Sequence, residues 1–298
     1  MANAGNTDII MPVEAMGDVP RVRTLSAADL WAVLGKGIAD FRAMPTHVIF
    51  LCLFYPIAGL LIGRASMGYE VIPLLFPLAA GFAILGPIAA IGLYELSRRR
   101  EAGLDTSWRH AFDVLHSPSL REIVFAGLFL LLLFVGWIAA AGEIYVANFG
   151  YTEPASWSAF IGSLFGTRAG VNMMLVGNAV GFLFALAALC LSVVTFPLLL
   201  DRHMSAVAAM WTSLRVVAAN PMVMALWGLI VAAGLALGFA LLMFGLAIVV
   251  PVLGHATWHL YRRAVEPDQH PRPDYSPRQG GVRHGADFPA NLFVGYRK

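Results

Sequence analysis

His255 and His259 stand four residues apart in Gly254-His-Ala-Thr-Trp-His-Leu-Tyr261, so a helix puts both imidazoles on one face. Two histidines so placed can chelate a metal ion, or one can be an axial haem ligand. Arg262 and Arg263 follow at once, which sets both rings within about 10 Å of the charged edge of an apolar helix. At that depth, beside Trp258 and Tyr261, packing and hydrogen bonding are the favoured roles, with metal or haem binding the alternative. The second candidate is Glu143, an acid inside a long apolar run, with Asn148 nearby and Asn172 and Asn178 in the next run. An ionisable group at membrane depth is a functional candidate by default. Here the four residues would form one wall of a polar cavity open to the outer side. Alternatively, Glu143 is interfacial and the asparagines join helices.

Little else in the chain has the pattern of a reaction centre. There is no phosphate-binding loop, no serine or cysteine set beside a base, and no pair of carboxylates spaced for acid–base work. No catalytic or metal-ligating residue is therefore assigned, and the reading leans away from an enzyme. The net charge of +2 and the lack of a basic helix or stacking platform argue against nucleic acid. Cys52 and Cys190 both fall in apolar runs, which does not suggest a disulfide framework.

What must position these residues is a set of membrane helices. Hydrophobic residues make up 59% of the 298 and charged residues 13%, about half the charge usual in soluble domains. Apolar runs of about 20 residues recur, the length that crosses a bilayer as helix. The chain reads as all-α and polytopic, with six spans at about 46–63, 71–96, 123–148, 172–199, 222–241 and 245–261. Of the 20 lysines and arginines, only Arg64 and Arg168 fall in the loops on one side of these spans. The rich side, with both termini, is predicted to be cytoplasmic. The polar first 45 residues hold no apolar core of a signal peptide, so the first span is expected to direct insertion.

The spans pair into three hairpins, and each hairpin is preceded by a short amphipathic stretch ending in proline. These stretches are Gly35 to Pro45, Trp108 to Pro118, and Trp211 to Pro221. Each predicts a helix lying in the cytoplasmic interface, with Trp108, Trp211 and Trp258 and the arginines Arg98, Arg99, Arg262 and Arg263 at headgroup depth. Proline directly before a span gives up no hydrogen bond. The exit helices of the first and third hairpins also match. Gly81, Ala83, Ile84, Pro87, Leu96, Arg98 and Arg99 recur as Gly245, Ala247, Ile248, Pro251, Leu260, Arg262 and Arg263. The reading is three parallel repeats.

The organisation expected is a disordered segment 1–24, a membrane domain 25–265 and a disordered cytoplasmic tail 266–298 rich in proline, glycine and arginine. The tail's end, Phe288 to Tyr296, regains apolar character and could dock on the protein itself or on a partner. In the outer loop 149–170, Ser156 to Ile161 predicts a short surface helix.

Several motifs carry a family resemblance. They include Pro45-Thr-His-Val-Ile-Phe-Leu51, Phe76-Pro-Leu-Ala-Ala-Gly-Phe82 and Gly92-Leu-Tyr-Glu-Leu-Ser-Arg-Arg-Arg-Glu101. Phe196-Pro-Leu-Leu-Leu-Asp-Arg202, Asn220-Pro221 and the stretch Pro251 to Arg262 complete the set. From about Leu25 to Val265 the chain resembles the bacterial integral membrane proteins of domain of unknown function 2189. Members are sometimes labelled cytochrome c oxidase subunit I. The resemblance implies a bacterial inner-membrane protein, with an accessory association with respiratory complexes as a further implication. The functional expectation is a scaffold, assembly or accessory protein that binds lipid and other integral membrane proteins. The alternatives are a small-solute transporter or channel built on the Glu143 region, and haem or metal binding at the histidine pair.

Overall fold

A computed structural model describes residues 19–44, 72–241 and 245–268. The expected first span, the tip of the last hairpin at 242–244 and tail residues 269–298 lie outside the described residues. Ten α-helices and one 3-10 helix are described. α1 (Ala27–Ala43) begins at a capping box: Asp29 N–H donates to Ser26 Oγ, and Ser26 N–H donates to the Asp29 carboxylate. Its buried face is Leu30, Val33, Gly37 and Asp40 at helical spacing, and it packs on the last helix. α2 (Ile72–Ala89) and α3 (Ile91–Glu101) follow, then the 3-10 helix Trp108–His116.

α4 (Leu120–Phe149) is the longest apolar helix of the described residues, followed by the outer α5 (Trp157–Gly166). α6 (Arg168–Ser192), α7 (Thr195–Asp201), α8 (Ala206–Ala219), α9 (Pro221–Ala240) and α10 (Leu246–Ala264) complete the order. Ser156, Thr167 and Ser205 cap α5, α6 and α8 through their hydroxyls, and Pro221 opens α9.

By length and composition, α4, α6 running on through α7, and α9 can cross a membrane. Ile72–Gly81 and Ala83–Ala89 of α2 make a fourth if this pair, bent by 42°, is one span. Pro87 lies in that second segment, and its missing N–H leaves the Ala83 carbonyl without its helical partner. Two expected spans are not continuous helices. The one at 71–96 breaks at Ala90, and the one at 172–199 breaks at Val193–Val194, where Pro197 cannot donate to the Val193 carbonyl. α10 covers the expected last span but lies outside the apolar set; its second half carries His255, His259, Arg262 and Arg263.

The pairwise packing has a cyclic order. The 3-10 helix packs on α3, α8 packs on α6 and α7, and α1 packs on α10. The 3-10 helix and α8 thus each rest on the helices just before them in the chain, while α1 rests on the last described helix. Gly37 permits a close approach of α1 to α10: a Cβ there would meet the Ala256 Cβ and the Val252 carbonyl oxygen at 2.7 Å. Where the other two junctions have a covalent linker, this one has a strap. Val22 and Val265 form an antiparallel bridge, with Arg23 N–H donating to the Ala264 carbonyl and Glu266 N–H to that of Arg21. Asn220 adds a clamp by accepting from Leu25 N–H and donating to the Arg23 carbonyl. Residues 20–24, expected to be disordered, are held here by backbone bonds that no side-chain pattern announces.

Candidate functional site

A buried polar cluster lies where α1, α3 and α10 meet. Asp40 stands on the buried stripe of α1, one turn after Gly37. Its Oδ2 accepts from Ser97 Oγ of α3 at 2.6 Å and lies 2.9 Å from His259 Nε2 of α10. Its Oδ1 accepts from Arg100 Nη1 at 2.5 Å. Ser97 Oγ also lies 2.8 Å from His255 Nδ1. His255 thus reaches the same carboxylate through the hydroxyl, while His259 reaches it directly. Burial by itself would raise the Asp40 carboxyl, but hydrogen bonds from His259 and Ser97 outweigh it and hold it below its ordinary value.

This geometry makes a structural pin of the histidine pair. Among the described residues no group of three or more His, Cys, Asp or Glu side chains is arranged to hold a metal ion. His255 is fully enclosed between packed helices. Ser97 is equally enclosed, so its hydroxyl cannot meet a substrate. Asp40 carried no catalytic pattern in the sequence, yet an acid in step with Leu30, Val33 and Gly37 on an apolar stripe is the signal of a buried, partnered charge.

Further ion pairs surround the pin. Glu95 is buried and accepts two bonds from Arg98, at 2.8 and 2.9 Å, while Arg99 lies 3.9 Å away. Arg99 reaches Asp113 of the 3-10 helix at 3.3 Å and donates to the Asp105 carbonyl at 2.6 Å. Tyr261 donates to Asp201 at 2.5 Å, Arg262 pairs with Glu101 at 3.0 Å, and Arg263 pairs with Asp29 at 2.7 Å. Arg98, Arg99 and Arg262 are therefore turned towards protein carboxylates, and of these arginines only Arg263 is mostly exposed.

Trp258 is likewise buried, with its indole N–H donated to Glu101 at 2.9 Å, which corrects its expected place in an interfacial belt. Trp108 and Trp211 do stand about half exposed, and the Arg109 guanidinium lies 6.0 Å from the Trp108 ring centroid.

The outer polar group is only partly assembled. Asn172 donates to Asn148 at 2.8 Å, joining α6 to α4. Asn178 donates to the Met174 carbonyl of its own helix, and the side chains of Glu143, Asn172 and Asn178 are exposed rather than enclosed. The small-residue pairs Gly177/Gly181 and Gly234/Gly238 of α6 and α9 are mostly used within the chain. Gly181 lies against Trp137, Gly234 against Val249 and Gly238 against Leu246, while Gly177 is open.

No curated protein and no solved structure matches the chain. The apolar helices make it an integral membrane protein in contact with lipid. Residues 75–201, from α2 to the end of α7, match the family described as "Predicted integral membrane protein (DUF2189)", so the resemblance carried by the motifs is shown over this stretch.

Proposed function

We propose that this chain is a scaffold or accessory protein of the bacterial cytoplasmic membrane, holding other integral membrane proteins, respiratory complexes among the candidates, or lipid. In this reading residues 25–265 form six spans in three hairpins, with both ends of that domain in the cytoplasm. The strap between Val22 and Val265 supports it, because chain ends that touch require an even number of crossings. The cyclic packing of the three short helices supports the repeat.

The observation that carries the functional reading is where the chemistry has gone. The buried carboxylates, arginines and histidines bond one another, while the span helices turn leucines outward: Leu132 is 69% exposed, Leu183 62% and Leu229 65%. A protein whose buried charged groups mostly bond one another and whose span helices turn apolar side chains outward offers contact area rather than reaction chemistry. Affinity purification from native membranes in mild detergent tests this. A reproducible integral membrane partner or retained lipid is expected; a lone monomer carrying neither contradicts it. Tag accessibility tests the topology separately, and tags on the two termini reporting opposite faces would overturn it.

A further inference from the structure

A groove with a volume of about 340 Å³ opens between the first turns of α4 and the side of α8. Arg121 and Glu122 stand at one end of its lining on α4, followed by Val124, Phe125 and Leu128, with Val207 contributed by α8. Arg121, Val124, Phe125 and Leu128 are spaced i, i+3, i+4 and i+7, so one face of α4 carries a cation and then an apolar wall. That wall descends about 10 Å along the helix. Val207 belongs to an exposed stripe of α8 that continues through Trp211 and Leu214.

The two charges at this end of the groove are not equivalent. Glu122 Oε2 accepts from the Ala206 N–H at 2.8 Å, which engages its carboxylate at the first turn of α8. Arg121 is exposed and joins no carboxylate among the described residues. Of the two, Arg121 is therefore the charged group left open above the apolar trough.

We propose that this groove is a binding site for one anionic phospholipid of the cytoplasmic leaflet, its phosphate on Arg121 and an acyl chain along Val124, Phe125, Leu128 and Val207. Charge complementarity selects the headgroup and the apolar wall selects the chain. A spanning helix that begins at the headgroup level brings the two to the right separation. The site rests on the membrane reading above and names its lipid. It also gives α8 a role: its stripe closes the groove from the side, with Trp211 and Leu214 in the adjoining lipid.

The test is native mass spectrometry of the purified full chain in detergent, titrated with dioleoyl phosphatidylglycerol. One lipid should be retained more tightly than the rest. R121Q should weaken it about tenfold, the equivalent of one phosphate contact of about 1.4 kcal/mol, and R121K should restore part of the affinity. V207W, which fills the trough without touching the charge, should weaken binding as strongly, and R121Q remains the reading should V207W fail to fold.

Equal retention by wild type, R121Q and V207W overturns the site. So does equal binding of oleate, which would mean that the phosphate is not read, or a partner helix crosslinked at Val207 in place of lipid. Because binding is measured in detergent, it does not depend on orientation, which tag accessibility judges separately.

Discussion

The layer made by α1, α3, the 3-10 helix, α8, the second half of α10 and α7, the last turns of the α6–α7 span, is packed unlike α4, α6 and α9. In the first, Leu198, Leu199, Val216, Trp258 and Tyr261 are almost wholly removed from the surface, and carboxylates such as Asp40 and Glu95 are buried with partners. In the second, leucine and phenylalanine face outward on every helix, and polar groups such as Asn178 bond their own backbone. The difference follows from the solvent. Water drives apolar side chains together, whereas a bilayer is as apolar as leucine and gives them no reason to leave it. The charged layer therefore holds the fold in register, and the spans keep their surface for lipid and partners.

The strongest way to break this contrast is Asp40→Ala. It leaves the buried Ser97, the mostly enclosed His259 and the exposed Arg100 around a lost carboxylate, and a cost of about 3 kcal/mol, the lower end for a buried ion pair, is expected from such a break. Thermal unfolding in detergent measures it, with faster proteolysis at residues 19–26 as α1 lifts from α10. The same pin has a pH signature. The Asp40 carboxyl lies below its ordinary value in the folded state, so its contribution is present above about pH 3.9 and is lost as pH falls through the lower folded value. As far as Asp40 is concerned, proteolysis at the strap should be flat between about pH 7 and 5 and rise only below about pH 4.

Leu198→Ala, in the packed layer, should cost about 2–5 kcal/mol through lost burial and the cavity left behind. A smaller effect sharpens the comparison at the boundary between the regions. Trp137 of α4 is buried and donates its indole N–H to the Pro77 carbonyl of α2 at 2.8 Å. Trp137→Phe should therefore cost about 1 kcal/mol, read as a shift in melting temperature. Leu229→Ala on the outward face of α9 should change stability by no more than about 0.5 kcal/mol. If Leu229→Ala and Leu198→Ala destabilise equally, the two regions do not differ in the way described.

Much of this could be read in the residues. Apolar run length marked α4, α6 and α9, and proline marked where α9 begins. The candidate sites were less legible. His255 and His259 were visible as a pair on one helical face, but Asp40, 219 positions before His259, was not, because hydrogen bonds between distant helices leave no local periodicity. Trp258 was read as interfacial because it precedes arginines, yet Glu101 and the neighbouring helices enclose it.

Composition and charge order, acting through hydration and helix geometry over a few turns, were enough to determine that this chain lives in a membrane and which segments coil. Which helix covers which, and hence that α1 lies on α10 under a strap between Val22 and Val265, was decided only by the tertiary structure. Such contacts depend on shape and charge matching between surfaces that the chain brings together only once it is folded.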